Sequence, residues 1–545
     1  MIAVVEAARA GLFRRGNIYG NVLAGIVVAV IALPLSMAFA IASGAKPEAG
    51  LYTTIVAAAV VSLFGGSRVQ ISGPTSAFVG ILVGVSSTFG LEGLQIATIM
   101  AGIIMLLMGI FKCGRLIKFI PEQVIVGFTA GIAVNMLTGQ IPNFFGLKCD
   151  HLPIYLHEKT AALVRVFHTL DIHTTCLAVG SLLAMLLRKK LFLGKVPGAL
   201  VAMVFGIVMQ ATFKFESVAT IGSVFGGLPN KLLSFTPTSH LSFSLIHKLL
   251  APAFAIAILG AIESLLCAVV SDSLIGTKHS SNQELIGHGL ANILSPMFGG
   301  IASTGSVART VVSIKVGGNS PLAGLVSSAA LCLIICFLAP LAKFIPLSVL
   351  SAILFAVAVK TMNCKHFCKF LMYAPKGDAA VLVLTFALTL FCGIVVSVNA
   401  GIMLSALMLM HRMAGSSRID RIKKGKRADY DFSQVPDGIA IYSIVGPIFF
   451  GMTDKFSSAL SSVKNEDRII ILRMFDVPFI DVTGLESLRL TISSLKKRGV
   501  QIMLSETTDA VMKKLRRSGA MESHIINAAQ KSIIEVIDIA SRMLR

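Results

Sequence analysis

Uncharged apolar stretches long enough to cross a bilayer recur through the first 411 residues, and they constrain the fold more than any other feature. Ten windows hold no Asp, Glu, Lys or Arg: 16–45, 49–67, 69–91, 93–111, 123–147, 172–187, 196–213, 285–308, 316–342 and 344–359. A spanning helix needs about 20 apolar residues. The window 249–271 carries one charge, Glu263, and 379–411 is long enough for two short spans if the chain turns near Cys392 and Gly393. Ala302–Gly317 is too short and polar for a full crossing and reads as a half helix. The expectation is a polytopic α-helical membrane protein of about fourteen segments.

Charge density changes near His411. Positions 1–411 hold 38 charged residues, whereas the 134 positions 412–545 hold 37. The expected organisation is a cytoplasmic N-terminus (1–16), a transmembrane domain (17–412), a basic linker (413–435) and a small soluble domain (436–545). The first apolar stretch is too long for a cleavable signal and reads as a span. A chain that is 55% hydrophobic and 14% charged is neither disordered nor an ordinary soluble enzyme. Its net charge of +21 would suggest nucleic acid in a soluble protein. Here it reflects cytoplasmic loops, and no nucleic-acid partner is expected. Basic clusters at Arg14–Arg15, Lys112–Lys118, Arg188–Lys195, Lys360–Lys376 and Arg412–Arg418 fall on one side if all segments cross, which places both termini in the cytoplasm of a cell (inner) membrane protein.

The nine cysteines form no CxxC pair and read as free thiols. Cys364, His366 and Cys368 lack a fourth ligand, so no metal is assigned. His151, His157, His168, His240 and His247 fall in the outside loops 143–171 and 214–248 and read as solvated.

Two segments break in matching ways. One contains Ile71-Ser72-Gly73-Pro74-Thr75-Ser76-Ala77-Phe78, the other Ile301-Ala302-Ser303-Thr304-Gly305-Ser306-Val307-Ala308-Arg309. They are the third and tenth segments, equivalent places in two seven-segment halves. Paired interruptions of this kind point to a transporter binding site. A helix starting at membrane depth presents free N–H groups and a positive dipole end, which favour an anion. Pro74 suits such a start, and Arg309 adds a cation that must face a cavity or a partner. The site expected from these residues is Gly73, Thr75, Ser76, Ala77, Thr304, Gly305, Ser306 and Arg309, with a small anion as guest. Glu263 either neutralises Arg309 or couples a proton. Asp272 lies near the cytoplasmic mouth, and Pro34 is expected to kink the first helix.

These residues resemble the sulfate permease (SulP) family of anion transporters. Pro47-Glu48-Ala49-Gly50-Leu51-Tyr52-Thr53-Thr54, ending in Gly66-Ser67-Arg68, matches the family signature, with Ala49 where an aromatic is usual. Thr304-Gly305-Ser306 with Arg309-Thr310 matches its segment-ten pattern. The resemblance implies two inverted seven-segment repeats, core and gate domains, an elevator motion and a homodimer. Pro34-Leu35 replaces the Pro-Gln of many sulfate carriers. The stretch Leu259–Asp272, with Gly276-Thr277-Lys278-His279, looks most like the DauA-type members, which carry dicarboxylates such as succinate with protons. Bicarbonate members with sodium coupling are similar but place Asp where Glu263 stands. The coupling ion implied is H+, with Na+ the alternative, and no other cofactor is expected. A transporter-like anion sensor is a further alternative.

After Arg412 the period changes. Strands are expected at Ile439–Val445, Arg468–Met474 and Val500–Leu504, and helices at Thr453–Lys464, Gly484–Lys497, Ala510–Arg517 and Ile533–Leu544, giving a small α/β domain. Pro478-Phe479-Ile480-Asp481-Val482-Thr483-Gly484-Leu485 resembles the STAS domain of anti-sigma-factor antagonists. There the hydroxyl residue before the glycine is phosphorylated, a position held by Thr483. The alternative is that Asp481 and Thr483 only cap the helix. A cytoplasmic partner of this domain is implied by the resemblance. With no GxSxG or Walker sequence, no enzyme activity is expected.

Overall fold

The computed structural model describes residues 2–545 apart from 116–120, 150–151, 154, 189–195, 229–242, 423–431, 433–434, 453–457, 459–465, 519–524 and 526–528. His151, His240, Lys423, Lys424, Lys426 and Arg427, and most of the helix expected at Thr453–Lys464, lie outside the described residues. Contacts divide the chain into two units, Met1–Met403 and Leu404–Arg545.

The first unit is helical. It opens with α1 (Ala3–Arg9), α2 (Arg15–Ala42) and α3 (Pro47–Phe64), then a two-residue strand β1 (Ser72–Gly73) and α4 (Ser76–Ile110). There follow α5 (Glu122–Gly139), α6 (Ile141–Phe145), α7 (Leu156–Val166), α8 (Ile172–Leu187), α9 (Gly198–Phe213) and α10 (Ile221–Phe225). The second half holds α11 (Phe243–Ile275), α12 (Ser281–Met297), strand β2 (Thr304–Gly305), α13 (Val307–Val316), α14 (Leu322–Ala342), α15 (Leu347–Met362), α16 (Cys364–Tyr373), α17 (Lys376–Phe391) and α18 (Ile394–Ser416).

Seven described helices are long and apolar enough to cross a membrane, or eight if α7 and α8, bent by 114°, count as one span. The expected third and fourth segments are the two helical stretches of α4, 76–89 and 91–110, separated by Gly90, whose backbone (φ 71°, ψ −177°) is not helical. The turn near Cys392 falls between α17 and α18, where Gly393 has φ 89°. Pro34 lies inside α2, which runs on past it.

The helices of this unit pack in two groups. In one, α2, α3, α4, α11, α12, α13 and α14 contact one another; in the other, α5, α6, α8, α9, α15 and α17 do so. Glycines let the first group approach closely. A Cβ on Gly289 of α12 would lie 2.6 Å from Leu106 N and 2.8 Å from Gly102 O of α4, the small-residue contact that lets membrane helices pack backbone to backbone.

The second unit contains a four-stranded sheet ordered β3 (Arg418–Arg421), β4 (Ile439–Val445), β5 (Ile469–Asp476), β6 (Gln501–Ser505). The last three strands are parallel and β3 is antiparallel to β4. The expected linker 413–435 therefore contributes an edge strand: Ile419 packs on the core while Arg418, Asp420 and Arg421 are exposed, and charged side chains suit an edge. Alternate residues of β5 serve two cores. Ile470, Leu472 and Met474 meet α19 (Val482–Lys497) and α20 (Asp509–Ser518). Ile469 and Ile471 meet α21 (Ile533–Leu544).

Asp481 caps α19, its Oδ1 accepting from Gly484 N at 2.6 Å. Asp481→Ala is expected to cost the second unit about 1 kcal/mol. Hydrogen exchange on the full chain checks this: amides of the first turn of α19 should exchange faster while those of β5 stay protected.

Candidate functional site

The two sequence breaks meet. β1 and β2 pair antiparallel, Ser72 opposite Gly305 and Gly73 opposite Thr304. Ser306 N extends the pairing by donating to Ile71 O at 2.8 Å. At membrane depth every backbone polar group needs a partner within the protein, and here each broken segment supplies the other's. Because the strands are antiparallel and each leads into a helix, the N-termini of α4 and α13 are drawn to the same strand pair.

Neither terminus is capped by its own side chain. Thr75 precedes α4 and Ser306 precedes α13, and neither hydroxyl accepts from its helix. The first-turn N–H groups of a helix have no intrahelical acceptor. Thr75 Oγ1 lies 3.3 Å from Thr304 Oγ1 across the strand pair, and Ser76 Oγ lies 3.5 Å from Thr361 Oγ1 of α15. Thr75 and Ser76 are half-buried, while Gly73, Ala77, Thr304, Gly305 and Ser306 are buried.

Arg309, in the first turn of α13, is 2% exposed. Its Nη2 donates to Pro74 O at 2.7 Å, and Nη1 has no hydrogen-bond partner. No carboxylate pairs with it among the described residues. A Cβ on Gly73 would overlap Nη1, so the guanidinium reaches this place only across a glycine. Two helix N-termini and a buried guanidinium thus converge, a constellation whose electrostatics favour an anion.

Glu263 lies on α11, half-buried, one residue before Ser264, whose Oγ accepts from Gly305 N at 3.3 Å. Neither an ion pair nor a hydrogen bond joins Glu263 to Arg309 among the described residues. Asp272 closes the turn between α11 and α12, accepting from His279 N at 2.8 Å and lying 2.6 Å from His279 Nδ1. Thr483 belongs to the second unit, exposed in the first turn of α19 beside the capping Asp481. Cys364 and Cys368 are exposed. Among the described residues no group of three His, Cys, Asp or Glu is arranged to hold a metal.

The residues that support the strand pair were missed in the sequence. Asn292 of α12 donates to Ser303 O at 3.0 Å and accepts from Ser303 N at 2.7 Å, as a neighbouring strand would. Thr53 Oγ1 of α3 accepts from Ile301 N at 2.7 Å. Glu284 and His288 share Asn292's face of α12, and all three are fully buried. The signal was available: Glu284, His288 and Asn292 are spaced four residues apart, a polar stripe on one helical face. A search for charge-free windows starts at 285 and passes over it.

The sulfate permease family profile matches residues 18–385 and the STAS domain profile residues 433–531. The chain is 39% identical over 489 residues to the putative sulfate transporter YvdB of Bacillus subtilis, covering 89% of this chain and 90% of that one. It is 30% identical over 512 residues to the bicarbonate transporter BicA of Picosynechococcus sp., covering 89% and 88%. The murine Solute Carrier 26 family member A9 (Slc26a9) anion transporter, in its inward-facing state, shares the fold with a TM-score of 0.87 at 18% identity, over 99% of this chain and 94% of that one. The transmembrane domain of a cyanobacterial BicA matches with a TM-score of 0.63 at 29% identity, over 72% and 98%. These relatives are transporters rather than enzymes. The chain belongs to the sulfate permease family of integral membrane anion transporters and carries a C-terminal STAS domain.

Proposed function

We propose that this protein carries a small divalent anion, sulfate or a dicarboxylate such as succinate, by secondary-active transport coupled to protons. The observation that carries the reading is Arg309: a buried guanidinium with one nitrogen unpartnered, beside two uncapped helix N-termini. A buried unmet donor costs about 1–3 kcal/mol, and an anion's oxygen removes that cost. The guest is held by Arg309, by backbone N–H groups near Ser76, Ala77 and Val307, and by the hydroxyls of Thr75, Thr304 and Ser306, with Gly73 and Gly305 leaving room. Glu263, on the helix that packs behind β2, carries the proton. The group of helices holding the site moves against the other group to expose it to each side in turn.

Bicarbonate is the second reading, supported by the 30% identity to BicA. The carboxylate at 263 then serves sodium rather than a proton. The remaining parts of the proposal are a homodimer in a cell (inner) membrane, both termini cytoplasmic, and a regulatory STAS domain. Thr483, exposed at a helix N-terminus, is its candidate phosphoacceptor, read by a cytoplasmic partner.

Uptake into proteoliposomes tests this with labelled succinate, sulfate and bicarbonate, with and without an inward proton gradient. Gradient-driven succinate or sulfate uptake is expected, and Glu263→Gln should lose the dependence on the gradient. Bicarbonate uptake driven by sodium alone would select the second reading. Arg309→Ala should lower uptake by about tenfold to a hundredfold, the worth of a lost charged hydrogen bond. Normal flux in that variant at normal expression defeats the pocket. Gly73→Ala, which pushes the guanidinium aside without removing charge and strains the backbone at φ 156°, should raise KM for the anion and lower the melting temperature. Removal of 436–545 should leave flux and abolish its regulation.

A further inference from the structure

A second polar cluster lies behind the strand pair, and the proposed transport does not use it. Glu284 and His288 of α12 are fully buried. Glu284 Oε2 accepts from Gly66 N at 2.6 Å and Ser67 N at 2.8 Å. Its Oε1 lies 3.2 Å from His288 Nε2. That nitrogen lies 3.0 Å from Gln70 Nε2 and 3.5 Å from Ser72 Oγ of β1. Glu284 Oε1, His288 Nδ1 and Gln70 Oε1 have no hydrogen-bond partner.

The cluster reaches both halves of the site. The 65–70 segment leads directly into β1, so its height sets where α4 begins. A Cβ on Gly305 of β2 would overlap Gln70 Nε2, so the glutamine amide is wedged against the opposite strand. The same segment is held from its other side, by Ala3 N donating to Gly65 O at 2.9 Å and by the Arg68–Glu6 ion pair at 2.5 Å.

The chemistry of the contacts gives the pair its role. A carboxylate that receives two backbone N–H groups in a dry site is a strong, directional anchor. Its second oxygen faces His288 Nε2. That oxygen makes no hydrogen bond in this arrangement. A bare Nε2 accepts from the Gln70 amide instead. His288 Nε2 therefore decides which way Gln70 faces, with Gln70 lying against Gly305 of β2 and His288 against Ser72 of β1.

We infer that Glu284 and His288 are positioning residues for anion binding: the carboxylate fixes the loop before β1, and the imidazole orients Gln70 between the two strands. Neither touches the anion. The inference rests on the anion-site reading above, and its test separates the two.

Three measurements on the purified full chain decide it. Hydrogen exchange on the wild type should find the Gly66 and Ser67 amides among the slowest in the segment 65–73; fast exchange there overturns the anchor without any variant. Kinetics of anion uptake, normalised to folded transporter, come next. Glu284→Gln keeps one oxygen for the two N–H groups but turns an NH2 toward His288 Nε2. It should keep the slow exchange and raise KM by about tenfold, the scale of one charge-assisted hydrogen bond, with Vmax within about twofold by the same arithmetic. His288→Gln, which offers an amide in place of Nε2, should recover part of the KM lost in His288→Ala. A fall in Vmax and melting temperature with KM unchanged would mean a purely structural pair and overturns the inference. Arg309→Ala is the control. Unchanged uptake in that variant defeats the anion site itself, whereas lost uptake there with an unmoved KM in Glu284→Gln defeats only the positioning pair.

Discussion

The pairing of two-residue strands at membrane depth is the interaction on which the first unit depends. Breaking a helix inside a bilayer exposes backbone groups that lipid does not satisfy, at several kcal/mol each. Two breaks solve the problem that one cannot. Ser72 and Gly73 meet Gly305 and Thr304, and Ser306 N adds a bond to Ile71 O. The arrangement is self-consistent only if both halves bring their breaks to the same place. Small residues are needed there because the backbones approach closely, and α3, α11 and α12 each donate or accept at its edge through Thr53, Ser264 and Asn292.

That constraint explains why α12 looks unlike its neighbours. It must be apolar enough to pack in the bundle and polar enough to supply the broken backbone. It does both by sorting residues. Gly289 lies against α4, and Glu284, His288 and Asn292 turn toward the strands. Polar residues inside membrane helices are tolerated when they face protein partners in this way.

Much of this was legible in the sequence because it follows from length and residue type. The apolar windows predicted the helices, and the small polar runs at 71–78 and 301–309 predicted both breaks. The strands at 439–445 and in β5 and β6 followed from alternation. The boundary between the third and fourth segments was legible too: expected at Glu92, it falls at Gly90, where the backbone leaves helical φ and ψ. The supporting stripe escaped because a test for charge alone does not register His288 or Asn292 and treats Glu284 as a boundary. The strand Arg418–Arg421 escaped because its four residues hold three charges, which an exposed edge tolerates and a sequence pattern reads as linker.

The charges around the site bear on the proposed coupling of a proton to the anion. Each helix N-terminus is worth about half a positive charge. With Arg309, and with Glu263 ionised, the empty site then carries roughly one positive charge on the same count. A dianion alone would take it to about minus one, whereas a dianion with a proton on Glu263 leaves it near neutral. Charge is costly to carry through a low-dielectric barrier. Under the proposed transport, the loaded site would move most cheaply with anion and proton together. The separation of Glu263 from Arg309 matters to this account. A direct ion pair would satisfy the guanidinium without a substrate and leave it little reason to bind one. In the proposed reading, Glu263 on the neighbouring helix, with no ion pair among the described residues and one residue from the contact with β2, would adjust the charge of the site without occupying it.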